Sequence, residues 1–204
     1  MSNLPDSLIV TDHSQLSKFE RGFKSWSENT ALTIRGRLNL SKYDPISPYE
    51  LAKYMKVRII KPEEINGLQS ETIKYLTSTH GDEWSAVTIR TSGIDIIVIN
   101  SSHSDRRNAS NIMHELSHIL RGHDSTQVLI YEMNLTFRTY NALQEAEADW
   151  LASTLLLPRP VLLRCRYKNY SADIASEMYG VSTALFKYRI NISGVNRQFN
   201  QYRK

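Results

Sequence analysis

The pentapeptide His114-Glu115-Leu116-Ser117-His118 constrains the fold more than any other stretch of the sequence. On an α-helix, residues four apart lie on one face with Cβ atoms about 5–6 Å apart, so both imidazoles can reach one metal ion. Glu115 is rotated by about 100° from His114 and stays outside the ligand pair, where it can reach a metal-bound water. The flanking residues keep a helical apolar period. The sequence therefore predicts a helix that carries two metal ligands and a general base.

A zinc ion held by two histidines needs a third protein ligand and an open fourth position. Glu145 and Asp149 lie four residues apart on a second predicted helix, residues 141–157, on the same face as Ala148 and Ala152. The two alanines would let this helix approach the first one closely. We expect Glu145 to complete the coordination. We expect Asp149 to accept a hydrogen bond from the non-ligating ring nitrogen of one histidine.

Three further residues are alternatives for roles at this site. Glu147 is the rival third ligand, although it is predicted on a different face of the second helix. Asp124 lies six residues after His118, where the metzincin pattern places its third ligand, but Arg121 occupies the position at which that pattern requires glycine. His123 is expected at the surface, where its charge would suit the end of the helix.

The remaining pattern predicts an α+β fold, a small antiparallel or mixed sheet packed on a mostly helical core. Residues 86–90 and 94–100 are typical of two strands joined as a hairpin. An amphipathic N-terminal helix is expected at about 14–27, and a helical cap at about 171–192 is expected to be hinged at residues 180–182. We expect one domain over the whole chain.

Composition places the chain among folded proteins of a reducing compartment. Hydrophobic residues make up 41% and charged residues 23% of the 204 residues. Cys165 is the sole cysteine, which excludes an internal disulfide, and it is expected to be buried. No basic leader precedes an apolar run, and no apolar stretch approaches the about 20 residues that span a bilayer. We expect a cytoplasmic protein without membrane contact.

Two stretches resemble the ImmA/IrrE family of bacterial metallopeptidases: His-Glu-Leu-Ser-His-Ile-Leu-Arg-Gly-His at 114–123 and Gln-Glu-Ala-Glu-Ala-Asp-Trp-Leu-Ala-Ser-Thr-Leu-Leu-Leu-Pro at 144–158. That family carries a zinc-binding His-Glu-x-x-His and a later Glu-x-Glu-Ala-Asn/Asp helix that ends in Leu-Leu-x-Pro. The resemblance covers about 47–192. The chain departs from the family pattern at Ser117, where glycine is usual, and at Leu157, where methionine is usual.

The resemblance implies a zincin-like core at about 47–160, with a gluzincin-like site. Its metal ligands would be His114, His118 and Glu145, and its base would be Glu115. The metal would be Zn²⁺, with Mn²⁺ as the alternative. The resemblance also implies an intracellular endopeptidase that cleaves a specific regulatory protein, a helix-turn-helix repressor, and so releases stress or mobile-element genes.

Other functions and open roles remain at the level of the sequence. Residues 94–100, if at a sheet edge, could pair with an extended substrate; an internal strand is the alternative. The donor to the tetrahedral oxyanion is open among His123, Tyr131 and Tyr140. Residues 171–192 also resemble a DNA-binding helix-turn-helix. The net charge is only +4 and the basic residues are scattered along the sequence, so nucleic-acid binding is not favoured. A toxin or antitoxin partner with the same fold and metal site but no proteolysis is the remaining alternative.

Overall fold

The computed structural model describes residues 19–79, 84–91, 93–123, 130–131, 134–135 and 141–201. Within these ranges, no helix is long and apolar enough to cross a bilayer. The elements in chain order are α1 (Phe23–Arg37), α2 (Pro48–Tyr54), β1 (Arg58–Ile60), a 3₁₀ turn (Pro62–Glu64), α3 (Ser70–Lys74), a π-helical turn (Tyr75–Thr79), β2 (Ala86–Thr91), β3 (Ile94–Ile99), α4 (Asp105–Arg121), β4 (Ile130–Tyr131), β5 (Asn134–Leu135), α5 (Ala142–Leu156), α6 (Arg159–Tyr167), α7 (Ala172–Tyr179), α8 (Thr183–Ile192) and α9 (Val195–Gln201).

A mixed three-stranded sheet has the order β1-β3-β2. β2 and β3 form the predicted antiparallel hairpin, with Val87 opposite Val98, and β1 runs parallel to β3. The suggestion that residues 94–100 lie at a sheet edge is wrong, because β3 has a partner on each side. Its consecutive buried residues Ile97 to Ile99 are typical of a strand covered on both faces. Among the described strands, β1 and β2 lie at the two edges of this sheet.

Helices α4 and α5 pack against each other, and α4 also contacts β2 and β3. The side chain of Ser104 caps the start of α4 by accepting a hydrogen bond from the backbone of Arg107. Leu116 of α4 and Ala148 and Ala152 of α5 are fully buried. The small residues on α5 allow a close helix pair, as the sequence predicts, and the predicted α+β fold with a small mixed sheet on a helical core is confirmed.

The first described helix lies later in the chain than the predicted span of 14–27. Residues 14–18 of that span lie outside the described ranges. Gly22 precedes α1 with a φ of 93°, a left-handed conformation that interrupts a helix. The helix then continues to Arg37, because the buried residues Ala31 and Ile34 extend its inner face beyond the predicted end. The predicted bounds are therefore wrong.

Helices α7 and α8 form the predicted C-terminal pair. Gly180 ends α7 with a φ of 64°, and the side chain of Ser182 accepts a hydrogen bond from the backbone of Leu185 at the start of α8. Arg189 is fully buried and donates to the backbone oxygen of Leu157 at 3.1 Å. One of the two basic side chains of α8 therefore points into the core, where it cannot contact a nucleic acid.

Candidate metal centre

Three side chains from α4 and α5 converge at one point. The Nε2 atoms of His114 and His118 are 3.0 Å apart, and the Oε2 atom of Glu145 lies 3.2 Å from the former and 3.6 Å from the latter. In a tetrahedral zinc site with bonds of 2.0–2.1 Å, neighbouring ligand atoms are about 3.3 Å apart. The three distances surround this value, so the donor atoms fit one small cation.

The hydrogen bond beneath His114 supports the same conclusion. The Oδ1 atom of Asp149 lies 2.8 Å from the Nδ1 atom of His114. A carboxylate accepts, so this ring nitrogen carries the proton, and in a neutral ring the Nε2 atom is left with a lone pair. That lone pair faces the carboxylate of Glu145, which is also an acceptor. Either a proton or a metal ion between the two groups would satisfy both.

The electrostatics of the site stabilise positive charge. Burial alone would lower the pKa of His114, but hydrogen bonds to Asp149 and Glu145 raise it to about 10. Burial would raise the pKa of Glu145, but its contacts with His114 and His118 hold it well below the ordinary value. A proton takes this position in the metal-free protein, and a metal ion would compete for it.

Glu115 lies beside the converging ligands but points toward the sheet. Its side chain is 3% exposed, and its Oε2 atom accepts a hydrogen bond of 2.5 Å from the Oγ1 atom of Thr88. Thr88 is in the edge strand β2. The strand therefore fixes the orientation of the carboxylate that the sequence predicts to be the base.

A family comparison agrees with this geometry. The family model for Peptidase M78, described as the IrrE N-terminal-like domain, matches residues 53–191, more than half of the chain. The chain belongs to the Peptidase M78 family. The predicted resemblance to ImmA/IrrE proteins is thus confirmed, and membership indicates a peptidase. No curated protein and no solved structure was found to match the chain.

In this M78 protein, His123 has a different environment from the one predicted. It is 7% exposed, so the expectation of a surface histidine is wrong. Its Nδ1 atom lies 2.9 Å from the Nδ1 atom of His118, and its Nε2 atom lies 3.0 Å from the Oε2 atom of Glu147. Burial lowers the pKa of His123, and the hydrogen bond to Glu147 opposes this only in part.

Glu147 lies away from the ligand triangle, on the other side of His118. It accepts two hydrogen bonds from the guanidinium of Arg121, at 2.8 Å from Nε and 3.2 Å from Nη2. Burial would raise the pKa of Glu147, but the bonds to Arg121 and His123 lower it. The carboxylate of Glu147 thus contacts the guanidinium of Arg121 and the imidazole of His123, both at the C-terminal end of α4. Glu145, rather than Glu147, is the α5 carboxylate that meets both histidines.

Sequence reasoning missed Thr88 and the partners of His118. Thr88 could not be found, because its contact with Glu115 depends on strand order. His123 did have a signal. Gly122 ends α4 with a φ of 71°, and the backbone N–H groups of Gly122 and His123 bond to the oxygens of Ile119 and His118. This is a Schellman turn, which folds the next residue back over the helix. Asp124, Tyr140 and the side chain of Tyr131 lie outside the described residues.

Proposed function

We propose that the protein is a zinc-dependent endopeptidase. The observation that carries the proposal is the convergence of His114, His118 and Glu145 on one point, with Glu115 on the same helix as the two histidines. Two imidazoles and one carboxylate are a ligand set of catalytic zinc sites, which keep a fourth position open. Manganese prefers sites richer in oxygen ligands, so the donor set favours zinc.

The proposed mechanism assigns the proton transfers to Glu115. When bound, zinc supplies Lewis-acid polarisation of the peptide carbonyl and makes water more acidic. Glu115 accepts a proton from the attacking water and delivers it to the leaving amine. Thr88 donates to one oxygen of this carboxylate and holds it in place. Asp149 keeps the ring of His114 oriented through its Nδ1 atom.

We propose that an extended substrate binds along β2. This strand lies at the edge of the three-stranded sheet, and its Thr88 contacts the proposed base. A peptide added to an edge strand gains main-chain hydrogen bonds and passes close to the residues beneath. The sequence suggested β3 for this role if it lay at a sheet edge. The edge position of β2 and its contact with the proposed base support the choice of β2.

We further propose that the substrate is a regulatory protein of the helix-turn-helix repressor class. This part rests on the resemblance to ImmA/IrrE proteins, whose members act on such repressors. Cleavage of a repressor in the cytoplasm would release the genes that it controls. Candidate substrates are therefore repressors with a helix-turn-helix domain.

The test is cleavage of the purified candidate repressor by the full chain loaded with zinc. We expect Glu115→Gln to bind zinc as the wild type does but to cleave at least about 100-fold more slowly, since a positioned general base contributes about 10²–10⁴-fold. Glu71→Gln, at an exposed position in the first turn of α3, is the matched control. Equal cleavage by Glu115→Gln would refute the assigned base. Zinc binding without any cleavage by the wild type would favour the non-proteolytic partner.

A further inference from the structure

A chain of buried polar contacts leads away from His118 on the side opposite the ligand triangle. It runs from His118 to His123, then to Glu147, and on to Arg121 at the surface, which also donates to Glu20. His123 is 7% exposed and Glu147 is 6% exposed. Hydrogen bonds between charged or ring groups are strong where water is excluded. These contacts therefore restrain the ring of His118 through its Nδ1 atom, which faces away from the ligand triangle.

Only one arrangement of protons satisfies this chain with neutral rings. The carboxylate of Glu147 is held by Arg121, so it accepts, and the Nε2 atom of His123 carries the proton. The Nδ1 atom of His123 then has a lone pair and accepts from the Nδ1 atom of His118. With its proton on Nδ1, His118 presents the lone pair of Nε2 to the ligand triangle.

The turn at the end of α4 brings His123 into this position. Gly122 adopts a φ of 71°, and the backbone N–H of His123 bonds to the oxygen of His118 at 3.0 Å. The same two residues are therefore joined through both backbone and side chain. A residue with a Cβ atom would be strained at the glycine position, so the local sequence fixes where the imidazole of His123 lies.

We infer that His123 is a positioning residue for the metal ligand His118. Each ligand histidine then has its outer nitrogen set by a carboxylate of α5: Asp149 acts directly on His114, and Glu147 acts on His118 through His123. Such partners fix the tautomer and ring orientation of a ligating histidine. The inference deepens the proposed function and rests on its metal site, although it does not require peptide cleavage.

The test is the zinc affinity of the full chain, measured by competition with a chromophoric chelator. His123→Phe removes both ring nitrogens, and we expect zinc affinity to fall by about 10–100-fold, the usual cost of losing such a partner. Two amide variants separate the two contacts. The amide oxygen of Asn can take the position of Nδ1 and accept from His118, whereas the amide of Gln takes the position of Nε2 and reaches Glu147.

We therefore expect His123→Asn to recover most of the affinity lost in the Phe variant and His123→Gln to recover little. An affinity of the Phe variant within twofold of the wild type would overturn the inference, as would equal recovery by Asn and Gln. If the Phe variant does not fold, spectra of the wild-type protein still test the inference. Imidazole ¹H–¹⁵N spectra of the zinc-loaded protein should show His118 protonated at Nδ1 and His123 at Nε2, and His123 protonated at Nδ1 would contradict the inference.

These readouts separate the inference from the proposed enzyme activity. A wild type that binds zinc but cleaves no repressor would refute the proposed function, while a loss of affinity in the His123 variants would still support the positioning role. A wild type that binds neither zinc nor manganese would overturn both.

Discussion

Replacing Asp149 by asparagine should weaken metal binding without unfolding the protein. The carboxylate accepts a hydrogen bond of 2.8 Å from His114, and its side chain is 11% exposed. An Asn side chain has nearly the same shape but no charge, so the change removes a charge-assisted bond with little loss of packing. Hydrogen bonds to charged groups contribute about 1.5–3 kcal/mol. Each 1.4 kcal/mol corresponds to about tenfold in affinity, so the expected loss is about 10–100-fold, which agrees with other metal sites.

The assay is zinc affinity by chelator competition at neutral pH, with Asp173→Asn as the matched control. Asp173 is exposed in the first turn of α7, and we expect its variant to bind zinc like the wild type. Circular dichroism and thermal unfolding of the metal-free proteins show whether folding is unchanged. If Asp149→Asn binds zinc within twofold of the wild type, the carboxylate does not orient His114, and the reasoning is refuted.

Three more predictions test other parts of the molecule. Thr88→Val should lower kcat/KM by about 10-fold or more with unchanged zinc affinity, because Glu115 loses a hydrogen bond to a charged group, and Thr88→Ser should restore it; equal loss in both variants would contradict this role. Arg189→Met should reduce the free energy of unfolding in urea by about 3 kcal/mol, since it removes the ion pair between the buried Arg189 and the partly exposed Glu28 and leaves the oxygen of Leu157 without this donor, whereas Lys187→Met, at an exposed position, should change it by less than about 0.5 kcal/mol. Burial raises the pKa of Cys165 from 9.0 to about 11, so stability should be intact below pH 9 and fall by about 2 kcal/mol as the pH rises to 11; Cys165→Ala should flatten this fall in urea titrations at several pH values.

The α4 and α5 helices could be predicted because their signals are local. The apolar period, the capping serine and the terminal glycine of α4 are all in consecutive sequence. The spacing of four residues also placed His114 with His118 and Glu145 with Asp149. The close approach of the two helices was predicted from Ala148 and Ala152 together, and both residues are fully buried.

The remaining features depend on tertiary contacts. The hairpin of β2 and β3 was predictable from its turn. The pairing of β1 with β3 joins residues 38 apart in the sequence, such as Arg58 and Ile96, so the sequence alone left open whether residues 94–100 lie at an edge or inside the sheet. The burial of His123 depends on Glu147 of another helix. The start of α1 depends on Gly22. The apolar pattern predicts an earlier start, but the left-handed φ of Gly22 is incompatible with a continuous helix, so α1 begins at the next residue.

Two buried arginines donate hydrogen bonds to backbone oxygens at the C-terminal end of α5. Arg35 of α1 donates to the oxygen of Leu156, and Arg189 of α8 donates to that of Leu157. The first of these arginines precedes the family-matched segment, 53–191, as does Glu28, which pairs with the second. A recombinant fragment trimmed to the matched segment would lack Arg35, so the oxygen of Leu156 would lose this donor. The fragment would also lack Glu28, so Arg189 would be buried without its counter-ion. The smallest fragment that folds as stably as the full chain should accordingly include α1.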